Sequence, residues 1–262
     1  MSNAQTTSPR WALILGASSG FGGEASVAMA GAGYDVCGVH LDRKAGMAQV
    51  EEIKQKITAK GRKALFFNAN AAAAETRQTV VDALAAEKAN VAVLMHSLAF
   101  GALKPFIADD RISEAQMDMT LNVMAHSLVY WTQDIVMRGL MGEGGRIFSM
   151  TSSGSTRAIH AYGAVSAAKC ALESHTRQLA YELSTRGIAV NAIRAGVTIT
   201  PASSKIPGSD KLFEGAALKN PGKRLTTPKD VAAAMIALCH PDSGWLTGNV
   251  INVDGGEEIS AG

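Results

Sequence analysis

The chain has 262 residues and a mass of 27.3 kDa, enough for one large domain with a sizeable core. Hydrophobic residues make up 47% and charged residues 18%, which excludes a disordered chain and a coiled coil. The net charge of +2 supplies no broad basic surface, so we expect no nucleic-acid partner. Three scattered cysteines and histidines without ligand spacing predict neither a disulfide framework nor a metal site.

Short apolar segments alternate with longer segments of helical periodicity along almost the whole chain. The predicted strands are Trp11–Leu15, Tyr34–Val39, Ala64–Phe67, Val91–Met95, Arg146–Ser149, Ala189–Ile193 and Asn249–Val253. The predicted helices begin with a segment from about Gly22 to Gly31 and continue with Met47–Lys60, Thr76–Lys88, Glu114–Gly139, Tyr162–Thr185 and Pro228–Cys239. Strands that are apolar throughout and separated by helices form parallel βαβ units. The pattern therefore predicts an α/β fold: a Rossmann-type, doubly wound parallel sheet of about seven strands with helices on both faces.

The boundaries of this domain are predicted at residues 11 and 262, preceded by a flexible tail over residues 1–10. The tail is polar and lacks the apolar region of a signal peptide, and no apolar run reaches the length of a membrane span. These features predict a soluble, cytoplasmic protein without a membrane partner.

A glycine-rich turn follows the first predicted strand immediately. Glycines in such a turn let the backbone approach a pyrophosphate, whose charge is met by the N-terminus of the next helix. The residues predicted to bind a dinucleotide here are Gly16, Ser18, Ser19, Gly20, Phe21 and Gly22. A plain strand–helix turn is the alternative, and the position near the start of the chain favours the binding site.

The residues after the second strand include one that would select NADH and two that would select NADPH. Asp42 lies twenty residues after Gly22, where a carboxylate accepts from the ribose 2′-hydroxyl and selects NADH. Arg43 and Lys44 follow directly and could pair with a 2′-phosphate, while His40 ends the strand. Two unpaired basic residues beside the site favour NADPH, with NADH as the alternative.

The glycine spacing and the length of the chain resemble the short-chain dehydrogenase/reductase family. The resemblance implies that Asn70 and the adjacent Ala71 contact adenine, that Asn122 has a structural and catalytic role, and that Ser152 is the catalytic serine seventeen residues before Lys169. The segment from Val250 to Gly256 resembles the last strand and turn of that family. Alternatively, Asn70 and Ser152 are ordinary polar residues of a loop and a strand end.

The catalytic helix departs from the usual pattern of this family, in which a tyrosine precedes the lysine by four residues. Here Val165 has that place, and the nearest tyrosine is Tyr162, seven residues before Lys169. Residues at i and i+7 of a helix face within about 20° of each other and lie roughly 10 Å apart along the axis. The phenol is then displaced from the cofactor ribose, which suits a conjugated enoyl thioester that receives hydride at its β-carbon. Alternatively, Tyr162 only packs and Lys169 is solvated.

This Tyr-x6-Lys spacing resembles that of the enoyl-acyl-carrier-protein reductases, and the intact glycine turn is closest to their enoyl reductase III branch. The segments His96–Phe100 and Arg194–Thr200 are similar to the segments that flank the nicotinamide in those enzymes. The resemblance implies cofactor contacts by Ser97, Lys169, Gly196, Thr198 and Thr200. His96 is expected to support a backbone turn, with an acid–base role as the alternative.

The resemblance implies an NAD(P)H-dependent reductase of trans-2-enoyl thioesters in fatty acid biosynthesis, with an acyl-carrier protein or coenzyme A as the carrier. In this interpretation Tyr162 hydrogen-bonds the enolate oxygen, and the charge of Lys169 favours the phenolate form of tyrosine. A substrate lid is expected at about residues 200–220, and a homotetramer is expected to pack through the helices Glu114–Gly139 and Tyr162–Thr185. The alternatives are a ketone or hydroxysteroid reductase and a non-catalytic dinucleotide sensor.

Overall fold

The apolar segments form the strands of one sheet in a computed structural model that describes residues 9–206 and 208–261. The strands are β1 Arg10–Leu15, β2 Asp35–His40, β3 Ala64–Asn68, β4 Asn90–His96, β5 Arg146–Thr151, β6 Ala189–Ala195 and β7 Val250–Val253. The helices are α1 Gly20–Gly31, α2 Met47–Thr58, α3 Ala74–Ala86, α4 Glu114–Leu121, α5 Ser127–Met137, α6 Gly163–Leu183, α7 Ser209–Lys219 and α8 Pro228–Leu238. The predicted alternation of strands and helices is confirmed.

All neighbouring strands pair in parallel in the order β3-β2-β1-β4-β5-β6-β7. The chain therefore starts near the middle of the sheet and extends first to one side and then to the other. The order in which strands are added to the sheet reverses between β1 and β4. The connections that leave the carboxyl ends of these two strands therefore run to opposite sides of the sheet. A crevice opens there, and open α/β sheets bind their ligands at this position.

Two apolar layers bury the sheet. On one face, α3, α5 and α6 cover the strands with a cluster that includes Trp131 and Leu172, both completely buried. On the other face, α1, α2 and α8 pack through Met29, Ile57 and Met235. Because both faces are covered, the strands are apolar on both sides, as the sequence predicted. The doubly wound fold is confirmed.

The long helix predicted at Glu114–Gly139 is interrupted. A π-helical turn over Asn122–His126 separates α4 from α5, and α5 ends at Met137. A π turn adds one residue to the helix without disturbing the apolar periodicity on either side, so the pattern could not show it. Asn122, for which the resemblance implies a structural and catalytic role, is the first residue of this turn.

The lid segment predicted at 200–220 contains more regular structure than expected. Residues Ser203–Lys205 form one 3₁₀ turn, and α7 follows. Arg10, predicted as tail, is the first residue of β1, and the rest of the predicted tail up to Ser8 lies outside the described residues. In the described part of the chain, no helix combines the length and apolar character needed to cross a membrane.

Candidate active site

A cavity of about 360 Å³ lies at the crevice between β1 and β4. Most of the residues predicted to bind the nucleotide line it: Gly16, Ser18, Ser19, Gly20, Phe21, His40, Asp42, Asn70, Ala71, Ser97 and Thr200. Asn70 is exposed, and its Oδ1 accepts from the Ala72 amide at 3.0 Å, so its own side chain shapes the loop beside the cavity. The sequence therefore identified one continuous pocket from residues in five separate segments.

The glycine turn forms a cradle that side chains would fill. Gly16 has a φ of +90°, and a Cβ there would lie 2.4 Å from the carbonyl oxygen of Ser97. Gly22 lies below the cavity floor, where a Cβ would come within 2.1 Å of the Gly16 carbonyl oxygen. The backbone is thus open toward the N-terminus of α1, the arrangement that receives a pyrophosphate. The residues present fit a dinucleotide.

At the ribose end of this cavity, Asp42 is held in place from two sides. His40 Nδ1 lies 2.9 Å from Asp42 Oδ2, and Asn68 exchanges hydrogen bonds of 3.0 and 2.9 Å with the Asp42 backbone. Asp42 lines the cavity, whereas Arg43 is exposed and lies outside the lining. Asp42, and not Arg43, therefore borders this cavity.

A second cavity of about 350 Å³ adjoins the first and is lined by three of the predicted catalytic residues, whereas Asn122 does not line it. Predicted site residues that line it are Phe21, Ser97, Ser152, Tyr162, Lys169, Gly196, Thr198 and Thr200. Its remaining wall is largely apolar and includes Leu103, Met124, Val165 and Leu212. An apolar chamber with a few convergent polar groups suits a substrate that carries a small polar function on a hydrocarbon chain.

Tyr162 is the residue immediately before α6, so its backbone lies just outside the helix where the sequence had placed it. Its hydroxyl lies 3.5 Å from Ser152 Oγ. Burial raises the pKa of the Tyr162 phenol, and the Ser152 hydroxyl lowers it by a smaller amount. Burial therefore favours the protonated phenol in this structure, and the prediction that Lys169 favours the phenolate stays untested.

Lys169 is buried, and its Nζ donates a hydrogen bond of 2.6 Å to the carbonyl oxygen of Met150 at the end of β5. Burial lowers its pKa to about 8, although the carboxylate of Glu173 raises it. The amine is thus still protonated near neutral pH and lies at the wall of the catalytic cavity. The alternative of a solvated Lys169 is excluded by its burial.

His96 and Asn122 lie on the walls behind the site. His96 is completely buried, and its Nε2 lies 2.8 Å from Ser127 Oγ. Burial, together with the charge of Lys169, lowers the pKa of His96 to about 3, so the ring is neutral and supports the fold. Asn122 begins the π turn, while its helix lines the two cavities through Met119, Val123 and Met124.

Gly154 fixes the position of the Tyr162 ring. A Cβ at residue 154 would lie 2.5 Å from Cε1 of Tyr162. We expect Gly154→Ala to displace the phenol and to lower kcat about tenfold to a hundredfold, with little change in cofactor affinity. Steady-state kinetics and cofactor titration measure both effects. Gly142→Ala is the matched control, because a Cβ there meets nothing within 4 Å. Equal kcat values for the two variants would contradict this role.

Sequence reasoning missed the groups that surround Lys169. Leu98, Ala99 and Phe100, in the segment that resembles one flanking the nicotinamide, line both cavities. No sequence argument pointed to a buried ion pair in which Glu173 Oε1 accepts from Thr151 Oγ1 at 2.6 Å and from Arg194 at 3.2 Å. The i+4 spacing from Lys169 to Glu173 was the available signal, because both then share a helix face.

Comparisons with known proteins agree with this geometry. A family model described as "Enoyl-(Acyl carrier protein) reductase" matches residues 16–258. An enoyl-[acyl-carrier-protein] reductase [NADH] from Nostoc sp. (strain PCC 7120) is 32% identical over 196 residues, covering 74% of this chain and 75% of that protein. A (2S)-[(R)-hydroxy(phenyl)methyl]succinyl-CoA dehydrogenase subunit from Thauera aromatica is 30% identical over 267 residues, covering 97% and 98%. The solved enoyl reductase of Aquifex aeolicus VF5 has the same fold, with a TM-score of 0.85, 24% identity and coverage of 97% and 98%.

The fold and the two adjoining cavities are those of a dinucleotide-dependent oxidoreductase. This chain belongs to the short-chain dehydrogenase/reductase family, in the group that the matching model describes as enoyl-acyl-carrier-protein reductase.

Proposed function

We propose that this protein reduces the C=C bond of trans-2-enoyl thioesters with NAD(P)H. One observation carries the proposal: the catalytic cavity contains Tyr162 seven residues before Lys169 and the apolar Val165 at the four-residue position. A valine cannot protonate a carbonyl oxygen beside the ribose. The hydroxyl that is available lies near Ser152, further from Lys169 along the chain.

The arrangement supports polarisation of a thioester carbonyl. Bound reduced nicotinamide supplies the hydride that the β-carbon of the substrate receives. Tyr162 donates a hydrogen bond to the thioester oxygen, which becomes negative as the enolate forms and then takes the proton of this hydroxyl. The resulting enol returns to the thioester with that hydrogen on its α-carbon, and the Ser152 hydroxyl lies 3.5 Å from the Tyr162 oxygen. The apolar wall excludes water and strengthens this contact. Lys169 contributes positive charge and a donor toward the ribose.

Reduction of a ketone, as in 3-oxoacyl or hydroxysteroid reductases, is the second candidate function. Two observations favour it: Ser152 keeps its place seventeen residues before Lys169, and the relative from Thauera aromatica is named a dehydrogenase. A dinucleotide sensor without turnover is less well supported, because Tyr162, Ser152 and Lys169 converge on one cavity.

Parallel assays separate these functions. Oxidation of NADH and NADPH is followed with crotonyl thioester and with acetoacetyl thioester, each on coenzyme A and on acyl-carrier protein. The proposal requires turnover of the crotonyl substrate at a kcat/KM well above that of the acetoacetyl substrate. The reverse order would establish the ketone reductase, and cofactor binding without turnover of either would establish the sensor.

The structure favours a different residue from the sequence as the one that selects between NADH and NADPH. The sequence favoured NADPH because of Arg43 and Lys44, but the cavity is lined by Asp42. A carboxylate beside the ribose accepts from the 2′-hydroxyl and repels a 2′-phosphate. We therefore propose NADH as the preferred donor. NADPH remains the second candidate, supported by the exposed Arg43 one residue away.

Replacement of Asp42 tests this preference. We expect Asp42→Ala to raise the ratio of kcat/KM for NADPH to that for NADH about tenfold, because a charged acceptor for the 2′-hydroxyl is lost. Arg43→Ala is the paired variant, and we expect it to leave that ratio close to wild type. A wild-type preference for NADPH that disappears in Arg43→Ala would support the second candidate and contradict the role of Asp42.

We further propose that the protein forms a homotetramer. Met137 on α5 is 73% exposed and Tyr181 on α6 is 79% exposed, so both helices present large apolar side chains outside the core. We expect light scattering at micromolar concentration to give a mass four times the 27.3 kDa of one chain. A monomer at that concentration would rule this out. The cytoplasmic location and the role in fatty acid biosynthesis stay predictions.

A further inference from the structure

The turn after β7 lies directly beneath the loop that borders the catalytic cavity. Glu257 in this turn is only 8% exposed, and its Oε2 accepts a hydrogen bond of 3.0 Å from the Val197 amide. A Cβ on Gly196 would lie 3.0 Å from the same oxygen. The carboxylate therefore packs against the backbone of the loop itself, and a side chain at position 196 would crowd it.

The hydrogen bond between Glu257 and the Val197 amide adjoins a series of hydrogen bonds among residues 196–203, which form part of the cavity wall. Thr198 Oγ1 donates to the Gly196 carbonyl oxygen at 2.9 Å, and Ser203 Oγ donates to the Thr198 carbonyl oxygen at 2.7 Å. Ser203 in turn lies 3.1 Å from Thr200 Oγ1. Gly196, Thr198, Thr200 and Ser203 all line the catalytic cavity. A change at Glu257 therefore reaches the cavity wall and the start of the lid through backbone groups.

The turn that presents Glu257 is itself well anchored. Asp254 accepts hydrogen bonds of 2.9 Å from the amides of Gly256 and Glu258, and Asn220, after the end of α7, donates to the Asp254 carbonyl oxygen at 2.7 Å. Glu258 points elsewhere and pairs with Arg157 at 3.1 Å. These hydrogen bonds hold the backbone of the turn in place, and with it the position of Glu257.

We propose that Glu257 is a positioning residue that sets the geometry of the Gly196–Thr200 loop and, through it, the affinity for the nicotinamide half of the cofactor. A buried carboxylate needs a compensating partner, and the Val197 amide is the partner observed. Burial raises the pKa of Glu257, and the charges of Asp254 and Glu258 raise it further, whereas the Val197 amide and the charge of Lys219 lower it. The inference rests on dinucleotide binding and is independent of the enoyl substrate.

Direct titration of NADH and NADPH by fluorescence tests this role without any turnover. We expect Glu257→Ala to raise the Kd of the preferred cofactor about tenfold, since a charged acceptor of a buried amide is lost. Glu257→Gln keeps an acceptor oxygen and should stay within about threefold of wild type. In kinetics, the KM for the cofactor should rise in Glu257→Ala with a smaller change in kcat. Hydrogen exchange at the Val197 amide should accelerate in Glu257→Ala and not in Glu257→Gln.

Glu258→Gln is the matched control, because it removes the neighbouring carboxylate without touching Val197. If Glu257→Ala does not fold, Glu257→Asp replaces it: the side chain is one methylene shorter, and we expect the same rise in Kd. A wild-type Kd in Glu257→Ala or Glu257→Asp would overturn the proposal. An equal rise in Glu258→Gln would also overturn it, because the effect would then be one of general charge.

Discussion

Tyr162→Phe is expected to lower the turnover of an enoyl thioester at least a hundredfold while the cofactor still binds. The phenylalanine keeps the ring that packs on Gly154 and removes only the hydroxyl beside Ser152. Loss of one donor to a developing oxyanion costs about a hundredfold or more in rate. Because the contact forms mainly in the transition state, we expect kcat and kcat/KM to fall together.

The measurement is a comparison of steady-state rates on crotonyl thioester, together with a cofactor titration of each protein. Tyr181→Phe is the matched control, since Tyr181 is a 79% exposed tyrosine near the end of α6. Wild-type turnover in Tyr162→Phe would remove the basis of the proposed mechanism. Loss of cofactor binding in that variant would instead indicate a structural role for the hydroxyl.

Lys169→Met should abolish turnover, weaken cofactor binding and yet stabilise the protein without cofactor. The Lys169 pKa falls from 10.5 in the unfolded chain to about 8 in the folded one, because the amine is buried. This difference corresponds to about 3 kcal/mol of destabilisation while the amine is charged in both states. Met has a similar shape and no charge, so the free energy of unfolding should rise by roughly 1–3 kcal/mol near pH 7.

The sign of this effect gives a pH test. The destabilisation by Lys169 is fully present below pH 8 and disappears as the pH rises from about 8 to 10.5, because the folded protein releases its proton first. The stability advantage of Lys169→Met in urea unfolding should therefore shrink between pH 7 and pH 10. Lys229→Met, at an exposed lysine of α8, should show no such trend. A Lys169→Met protein less stable than wild type at pH 7 would contradict this account.

The fold could be predicted almost completely from the sequence, because each buried strand is apolar on both sides and each helix is bounded by polar segments or glycine. What could not be predicted was irregular structure inside a regular pattern. The π turn that starts at Asn122 lies inside a segment that is helical on both sides, and α7 lies in a segment rich in Ser, Lys and Gly that was predicted as a lid.

The candidate site could be predicted where function requires unusual residues, as in the glycine turn and the pair Tyr162 and Lys169. The protonation state of the phenol could not, because it depends on burial and on the actual separation of charges. Glu257 also gave no signal, since an acidic residue in a glycine-rich turn is normally solvated. Its role follows only from the meeting of two segments sixty residues apart in the sequence.

The crossover between β1 and β4 separates the two kinds of selectivity along the chain. Asp42, which we propose discriminates between the nucleotides, precedes the connection from β4 to α4, whereas Ser152, Tyr162 and Lys169 follow it. A chimera of two family members joined within this connection would therefore take its coenzyme preference from one parent and its reaction from the other. The parents would have to match where the chambers meet, at Leu98–Phe100 and at Phe21, Thr200, Ala202 and Lys205, because these residues line both chambers. Recombination at this point would let the choice of electron donor change without altering the chemistry.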